Sequence, residues 1–198
     1  MNKNNFSKNC DLSCYTTIKV GGIAEYFAEP RNIDEFSNLI KWANVNKQKC
    51  QIIGAGSNLL INNIFIKGLV ICTKKMKTLT ISPHSGIVEA EAGVMLPTLS
   101  NYLAKNALQG GEWAVGIPGT LGGAIYMNAG TGNLSLAKNL IPVKVIDNKT
   151  QEKVEIEKKD INFKYRFSSF QSNNLAIISA KLYFEPNGNL EKLSLIHI

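Results

Sequence analysis

Two short segments combine glycine with small polar residues more densely than turns alone require: Gly54-Ala55-Gly56-Ser57-Asn58-Leu59-Leu60 and Gly116-Ile117-Pro118-Gly119-Thr120-Leu121-Gly122-Gly123-Ala124. Glycine has no Cβ, so such a backbone can come close to a phosphate and aim several N–H groups at it. Ser57, Asn58 and Thr120 add side-chain donors. One glycine segment at a strand end is often only a turn, but two in one chain point to a phosphate-bearing ligand. The common nucleotide motifs do not fit. A dinucleotide fingerprint needs a third glycine where Ser57-Asn58-Leu59 stands and an acidic residue about twenty positions on. In that region the chain has Lys74 and Lys75. A Walker loop ends in Gly-Lys-Ser or Gly-Lys-Thr, and neither segment does.

The rest of the composition narrows the chemistry. With 198 residues and 44% hydrophobic content, the chain is long enough to bury a real core. Cys10, Cys14, Cys50 and Cys72 are irregularly spaced and read as reduced thiols. His84 and His197 are isolated from other ligand types, so no metal site is expected. A formal charge of +7 suits anionic ligands without choosing among them. The densest basic run, Lys74-Lys75-Met76-Lys77, lacks interleaved aromatics, so no nucleic-acid partner is expected. No apolar run reaches the roughly 18 residues of a membrane span, and the N-terminus has no secretory pattern. A cytoplasmic protein without a membrane partner is the expectation.

Several elements must hold these loops. Asn32, with Glu35 three residues on, caps a predicted helix with Ile33, Phe36, Leu39, Ile40 and Ala43 on one face. Cys50 to Ile53 reads as a short buried strand running into the first glycine loop. Leu69 to Cys72, Thr78 to Ile81 and Ile87 to Ala92 read as strands, the last with Glu89 and Glu91 on its wet face and Pro83 to Gly86 as the turn before it. Pro97 opens a second helix carrying Leu99, Tyr102, Leu103 and Ala107, which Gly110-Gly111 should end. Ile141 to Asp147 and Glu152 to Ile156 flank a hairpin turn. Leu175 to Phe184 alternates Ala176, Ile178, Ala180, Leu182 and Phe184 against Ser179, Lys181 and Tyr183. The mixed order predicts an α+β fold.

Four segments in order, Tyr15 to Ala24, Gly54 to Leu60, Gly116 to Ala124 with Met127-Asn128-Ala129-Gly130, and Tyr165-Arg166, resemble the UDP-N-acetylenolpyruvoylglucosamine reductase family over roughly Leu12 to Phe184. The resemblance implies two α/β subdomains of the PCMH/VAO-type FAD-binding fold, here residues 1–74 and 75–186, with FAD extended between them. It implies non-covalent FAD held by Gly54, Ala55, Gly56, Ser57, Asn58 and Leu59 and by Pro118, Gly119, Thr120, Gly122, Gly123 and Ala124. It also implies NADPH as co-substrate, a UDP-sugar substrate touched by Asn128, Tyr165 and Arg166, and hydride passing through the flavin to an enolpyruvyl double bond. Arg166 matches the family's catalytic arginine, whose guanidinium would stabilise charge growing on the carboxylate side. Without the motif, Arg166 would read as a surface residue. Phe163, Tyr165 and Phe170 around it predict burial, which calls for an anionic partner.

In one respect the sequence departs from that family. The family continues past the equivalent of Phe184 into a substrate domain carrying a serine acid and a glutamate, and nothing here matches either. Residues 187–198, with Leu193, Leu195, Ile196 and Ile198 crowded together, read as a truncated tail. A flavin-binding module without turnover is therefore the alternative to a reductase. An oxygen-using flavin oxidase is a weaker third reading.

Overall fold

The computed structural model describes residues 6–62, 64–82 and 84–186; the expected tail at 187–198, His197 within it, and Pro83 lie outside the described residues. Asn32 starts the first helix as its spacing predicts, accepting the Glu35 N–H at 2.8 Å. That removes one of the unpaired amides at a helix start. The Glu35 carboxylate reaches one residue beyond a capping-box partner, to the Arg31 N–H at 2.8 Å. Helix α1 (Ile33–Val45) buries Phe36, Leu39, Ile40 and Ala43, each large side chain contributing about 2 kcal/mol.

Strands β1 (Ser7–Asp11), β2 (Ile23–Ala28), β3 (Cys50–Ile53) and β4 (Phe65–Cys72) form the first sheet, in the order β1-β2-β4-β3. β2, β4 and β3 are parallel, and β1 is antiparallel to β2. The expectation of a buried strand at Cys50 to Ile53 is corrected here. β3 is the sheet edge, with Gln51 and Ile52 exposed. A four-residue apolar run carries no periodicity that separates an edge from a centre.

The second sheet holds β5 (Leu79–Ser82), β6 (Ile87–Glu91), β9 (Leu140–Asp147), β10 (Lys153–Glu157) and β13 (Leu175–Tyr183), all antiparallel, in the order β10-β9-β13-β6-β5. Between β6 and β9 lie α2 (Leu96–Lys105), α3 (Leu121–Tyr126), the small pair β7 (Gly130–Thr131) and β8 (Leu134–Ser135), and the single turn α4 (Leu136–Asn139). The hairpin of β11 (Phe163–Lys164) and β12 (Phe167–Ser168) precedes β13. Helix α2 stops earlier than Gly110-Gly111. Asn106 caps it, Ala107 turns left-handed at φ 55°, and Tyr102 faces outward. Glu91, read as wet, is buried; its carboxylate accepts the Thr78 N–H at 2.8 Å and so satisfies the turn into β5.

The long alternation read across β13 does not lie on one face. Ala176 and Ile178 pack with α1, whereas Ala180, Leu182 and Phe184 pack with α2 and α3. The register against β9 shifts between Ile177 and Ser179, and that bulge exchanges the two faces. Consequently α1 has sheet on both sides: Leu69 and Ile71 of β4 on one, Ile146 of β9 with Ala176 and Ile178 of β13 on the other. A third cluster, with Leu12, Ala24, Phe27, Val70 and Cys72, closes the far face of the first sheet.

Candidate functional site

The first glycine loop leaves the edge strand β3 and folds back over Tyr15 to Thr17. Gly56 is left-handed at φ 66°, and a Cβ there would overlap the Tyr15 carbonyl oxygen. The Gly56 carbonyl accepts the Thr17 N–H at 3.1 Å. Burial, with Glu29 nearby, pushes the Tyr15 phenol up to about 12, so it stays neutral. Among the described residues, no acceptor takes the backbone N–H of Ala55, Gly56, Ser57 or Asn58. A run of amides without an acceptor around a left-handed glycine suits an anion.

The second loop meets the first. Ser57 Oγ donates to the Pro118 carbonyl at 3.1 Å, and a Cβ on Gly54 would overlap Thr120 Oγ1. Gly119, at φ 133°, has its carbonyl fixed by the Leu96 N–H at 2.9 Å. Thr120 caps α3, its hydroxyl accepting the Gly123 N–H at 3.5 Å. Gly122 packs on Ala92, where a Cβ would come within 2.9 Å of the Ala92 Cβ, and donates its N–H to the Ala92 carbonyl at 2.8 Å. Gly123 and Gly116 differ from these. A Cβ on Gly116 meets nothing within 4 Å, and one on Gly123 meets only its own cap, Thr120 Oγ1, at 3.6 Å.

Helix α3 carries the line of the site onward. Its six residues span about 9 Å, from Thr120 at the glycine loops to the turn Met127-Asn128-Ala129-Gly130. On that turn rests the β11–β12 hairpin, whose two-residue loop is Tyr165-Arg166. Asn128 Nδ2 donates to the Lys164 carbonyl at 3.0 Å, Ser168 Oγ to Tyr126 at 2.8 Å, and Arg166 Nη1 to Gly130 at 3.2 Å. Gln171 Nε2 bridges the carbonyls of Tyr126 at 2.9 Å and Arg166 at 3.2 Å.

Burial of Arg166 is an expectation the structure corrects. The residue sits at φ 52° in an exposed turn, Tyr165 beside it is 88% exposed, and Phe170 belongs to the core instead. A two-residue hairpin loop has no neighbours on its outer side, so flanking aromatics in sequence do not enclose it. Among the described residues the Arg166 guanidinium, with five donors, makes one hydrogen bond, to the Gly130 carbonyl, and it lies 5.2 Å from the Tyr165 ring centre.

Of the other expected contact residues, Asn58 and Leu59 are exposed beside the loops, while Ala124 turns into the core and leaves no side-chain surface for a ligand. Alanine in a glycine-rich run gives no sign of which way it faces. Sequence reading placed Tyr15 and Thr17 only in a family motif and gave no site role to Cys72 or Thr73; all four touch the first loop or its base. The four cysteines are free thiols. Among the described residues no cluster of three metal-ligating side chains occurs, and no helix is long and apolar enough to cross a membrane.

Residues 24–154, which hold both glycine loops, match the FAD binding domain family. The chain belongs to that family. Within the FAD binding domain family it resembles the reductases its motifs pointed to. It is 71% identical over 188 residues to the UDP-N-acetylenolpyruvoylglucosamine reductase of Prochlorococcus marinus subsp. pastoris (strain CCMP1986 / NIES-2087 / MED4), a match covering 95% of this chain and 64% of that protein. The chain thus spans somewhat under two thirds of that relative's length. The crystal structure of the UDP-N-acetylenolpyruvylglucosamine reductase from Thermus caldophilus superposes with a TM-score of 0.75 at 27% identity, covering 97% of this chain and 65% of that one. An alkyldihydroxyacetonephosphate synthase shares the fold alone, with a TM-score of 0.63 at 14% identity over 85% of this chain and 34% of that one. The likeness read from the four motifs and the α+β FAD-binding fold it implied are both borne out.

Proposed function

We propose that this chain binds FAD non-covalently along the line from the first glycine loop to the Tyr165-Arg166 hairpin. In a polypeptide of its relatives' full length, it would serve the NADPH-dependent reduction of a UDP-N-acetylglucosamine enolpyruvate to UDP-N-acetylmuramate. The observation that carries the reading is the run of amides from Ala55 to Asn58, unpaired among the described residues and placed where Ser57 meets Pro118. A pyrophosphate satisfies such donors without needing a cation. Gly116 and Gly123 support the same reading, because the fold leaves space at both that a Cβ would fill.

Bound FAD supplies the two-electron carrier that the side chains of this chain lack. The chain's part is to hold and orient it. In this reading the subdomains are residues 1–74 and 75–186, and Pro118, Gly119, Thr120, Gly122 and Gly123 line the cofactor. Arg166, with donors to spare on an exposed turn, takes the carboxylate of the substrate, and Asn128 and Tyr165 stand beside it. An exposed guanidinium fits a ligand that arrives from solvent better than a permanent buried ion pair. The free thiols suit a reducing, cytoplasmic setting.

Titrating the purified chain with FAD tests the cofactor. Saturable quenching of flavin fluorescence is expected, and a failure to bind would remove the reading. In a full-length polypeptide, Arg166→Lys keeps the charge but loses the planar fork, so turnover is expected to fall at least tenfold with FAD content unchanged. Normal turnover would take Arg166 out of the reaction.

A further inference from the structure

Two consecutive buried polar residues, Cys72 and Thr73, close β4 directly beneath the first glycine loop. β3 and β4 run parallel, and Ile53 opposite Cys72 is their last pair. There the chain leaves β4 for a single helical turn at Thr73–Lys75, so the ladder stops while the loop begins. Side chains continue where the strand ends. Thr73 Oγ1 donates to the Ile53 carbonyl at 3.3 Å, and the Cys72 thiol donates to the Gly54 carbonyl at 3.3 Å. Burial pushes the Cys72 thiol up, so it keeps the proton it donates.

The consequence follows from peptide geometry. In a trans peptide the C=O and the following N–H point in opposite directions. A Gly54 carbonyl drawn down onto Cys72 therefore aims the Ala55 N–H away from the sheet. The next-but-one peptide is held the same way, its Gly56 carbonyl accepting the Thr17 N–H at 3.1 Å, which turns the Ser57 N–H outward. Two of the four free amides are thus aimed by hydrogen bonds made behind them.

We propose that Cys72 and Thr73 are positioning residues for the cofactor's phosphates: Cys72 clamps the Gly54 carbonyl and so sets the direction of the Ala55 amide, and Thr73 clamps the Ile53 carbonyl and so holds the preceding peptide from which the loop departs. The inference rests on the FAD reading of this loop. It assigns a role to two side chains that touch no cofactor themselves.

The test is FAD titration of the whole chain and four variants, at a temperature where each apoprotein is folded by circular dichroism. Cys72→Ala and Thr73→Val remove one donor each, whereas Cys72→Ser and Thr73→Ser keep a hydroxyl in its place. A lost net hydrogen bond corresponds to a roughly three- to tenfold weaker affinity. That loss is expected for the first pair, and near wild-type affinity for the second. Should Cys72→Ala fail to fold, Thr73→Val, which keeps the side-chain volume, still decides. Wild-type affinity in the donor-less variants, or equal loss in the serine variants, overturns the clamp while leaving the cofactor reading intact. An unmutated chain that binds no FAD overturns both.

Discussion

The two glycine loops look alike in composition and differ in why they need glycine. In the first, Gly54 and Gly56 are required by the protein: a Cβ would overlap Thr120 at one and Tyr15 at the other, and Gly56 is left-handed as well. In the second, Gly119 and Gly122 answer to the backbone and to Ala92, but Gly116 and Gly123 face space that the protein leaves empty. The first loop is folded by its glycines, and the second is partly opened by them. A glycine therefore marks a ligand only after the protein's own claims on its missing Cβ are counted.

That contrast can be broken by substitution. Gly56→Val meets both a left-handed φ and the Tyr15 carbonyl, so we expect a stability loss of about 3 kcal/mol or more, measured by urea denaturation of the chain without FAD. An unchanged denaturation midpoint would show that the loop can relax away from Tyr15. Gly123→Leu should do the reverse, leaving the apoprotein's midpoint near wild type while weakening FAD binding by about tenfold or more, some 1.4 kcal/mol. Equal affinity there would mean that the open space does not belong to the cofactor. Ser57→Ala removes the bond that joins the loops. A loss of about 1 kcal/mol in FAD affinity is expected, read by fluorescence titration.

The smallest effect belongs to a third turn, which needs neither glycine nor ligand. The Asp147 carboxylate accepts the Lys149 and Thr150 N–H groups at 2.6 and 3.0 Å, and these bonds hold its pKa below the usual carboxylate value. A carboxyl with a depressed folded pKa stabilises above its unfolded value, near 3.8 here, and loses that contribution as pH falls through the lower one. The gap in denaturation midpoint between the wild type and Asp147→Asn should be steady from pH 7 to about 5 and narrow below about 4. A gap that stays constant to pH 3 would assign the turn to its backbone alone.

Much of the fold was legible because the signals were local. Asn32 and Glu35 set the start of α1, the β9–β10 hairpin followed from Asn148-Lys149-Thr150, and Pro97 marked α2. The face exchange in β13 was not legible, since a bulge between Ile177 and Ser179 leaves the hydrophobic pattern unbroken while inverting its meaning. The same holds for Ala107, which ended α2 by adopting a conformation that its type gives no reason to expect. At the site, the sequence located both loops but not the direction of their donors, which depends on partners far away in the chain: Thr17 for Gly56 and Cys72 for Gly54. Arg166 was singled out through its motif, whereas its exposure was set by the hairpin register, Lys164 against Phe167.

Helix α1 has a mechanical consequence. Lying between the two sheets, it joins them through a shared cluster; Ile146, Ala176 and Ile178 would be stripped of cover if the sheets swung apart. The seam where Ser57 reaches Pro118 therefore joins loops whose sheets share that cluster.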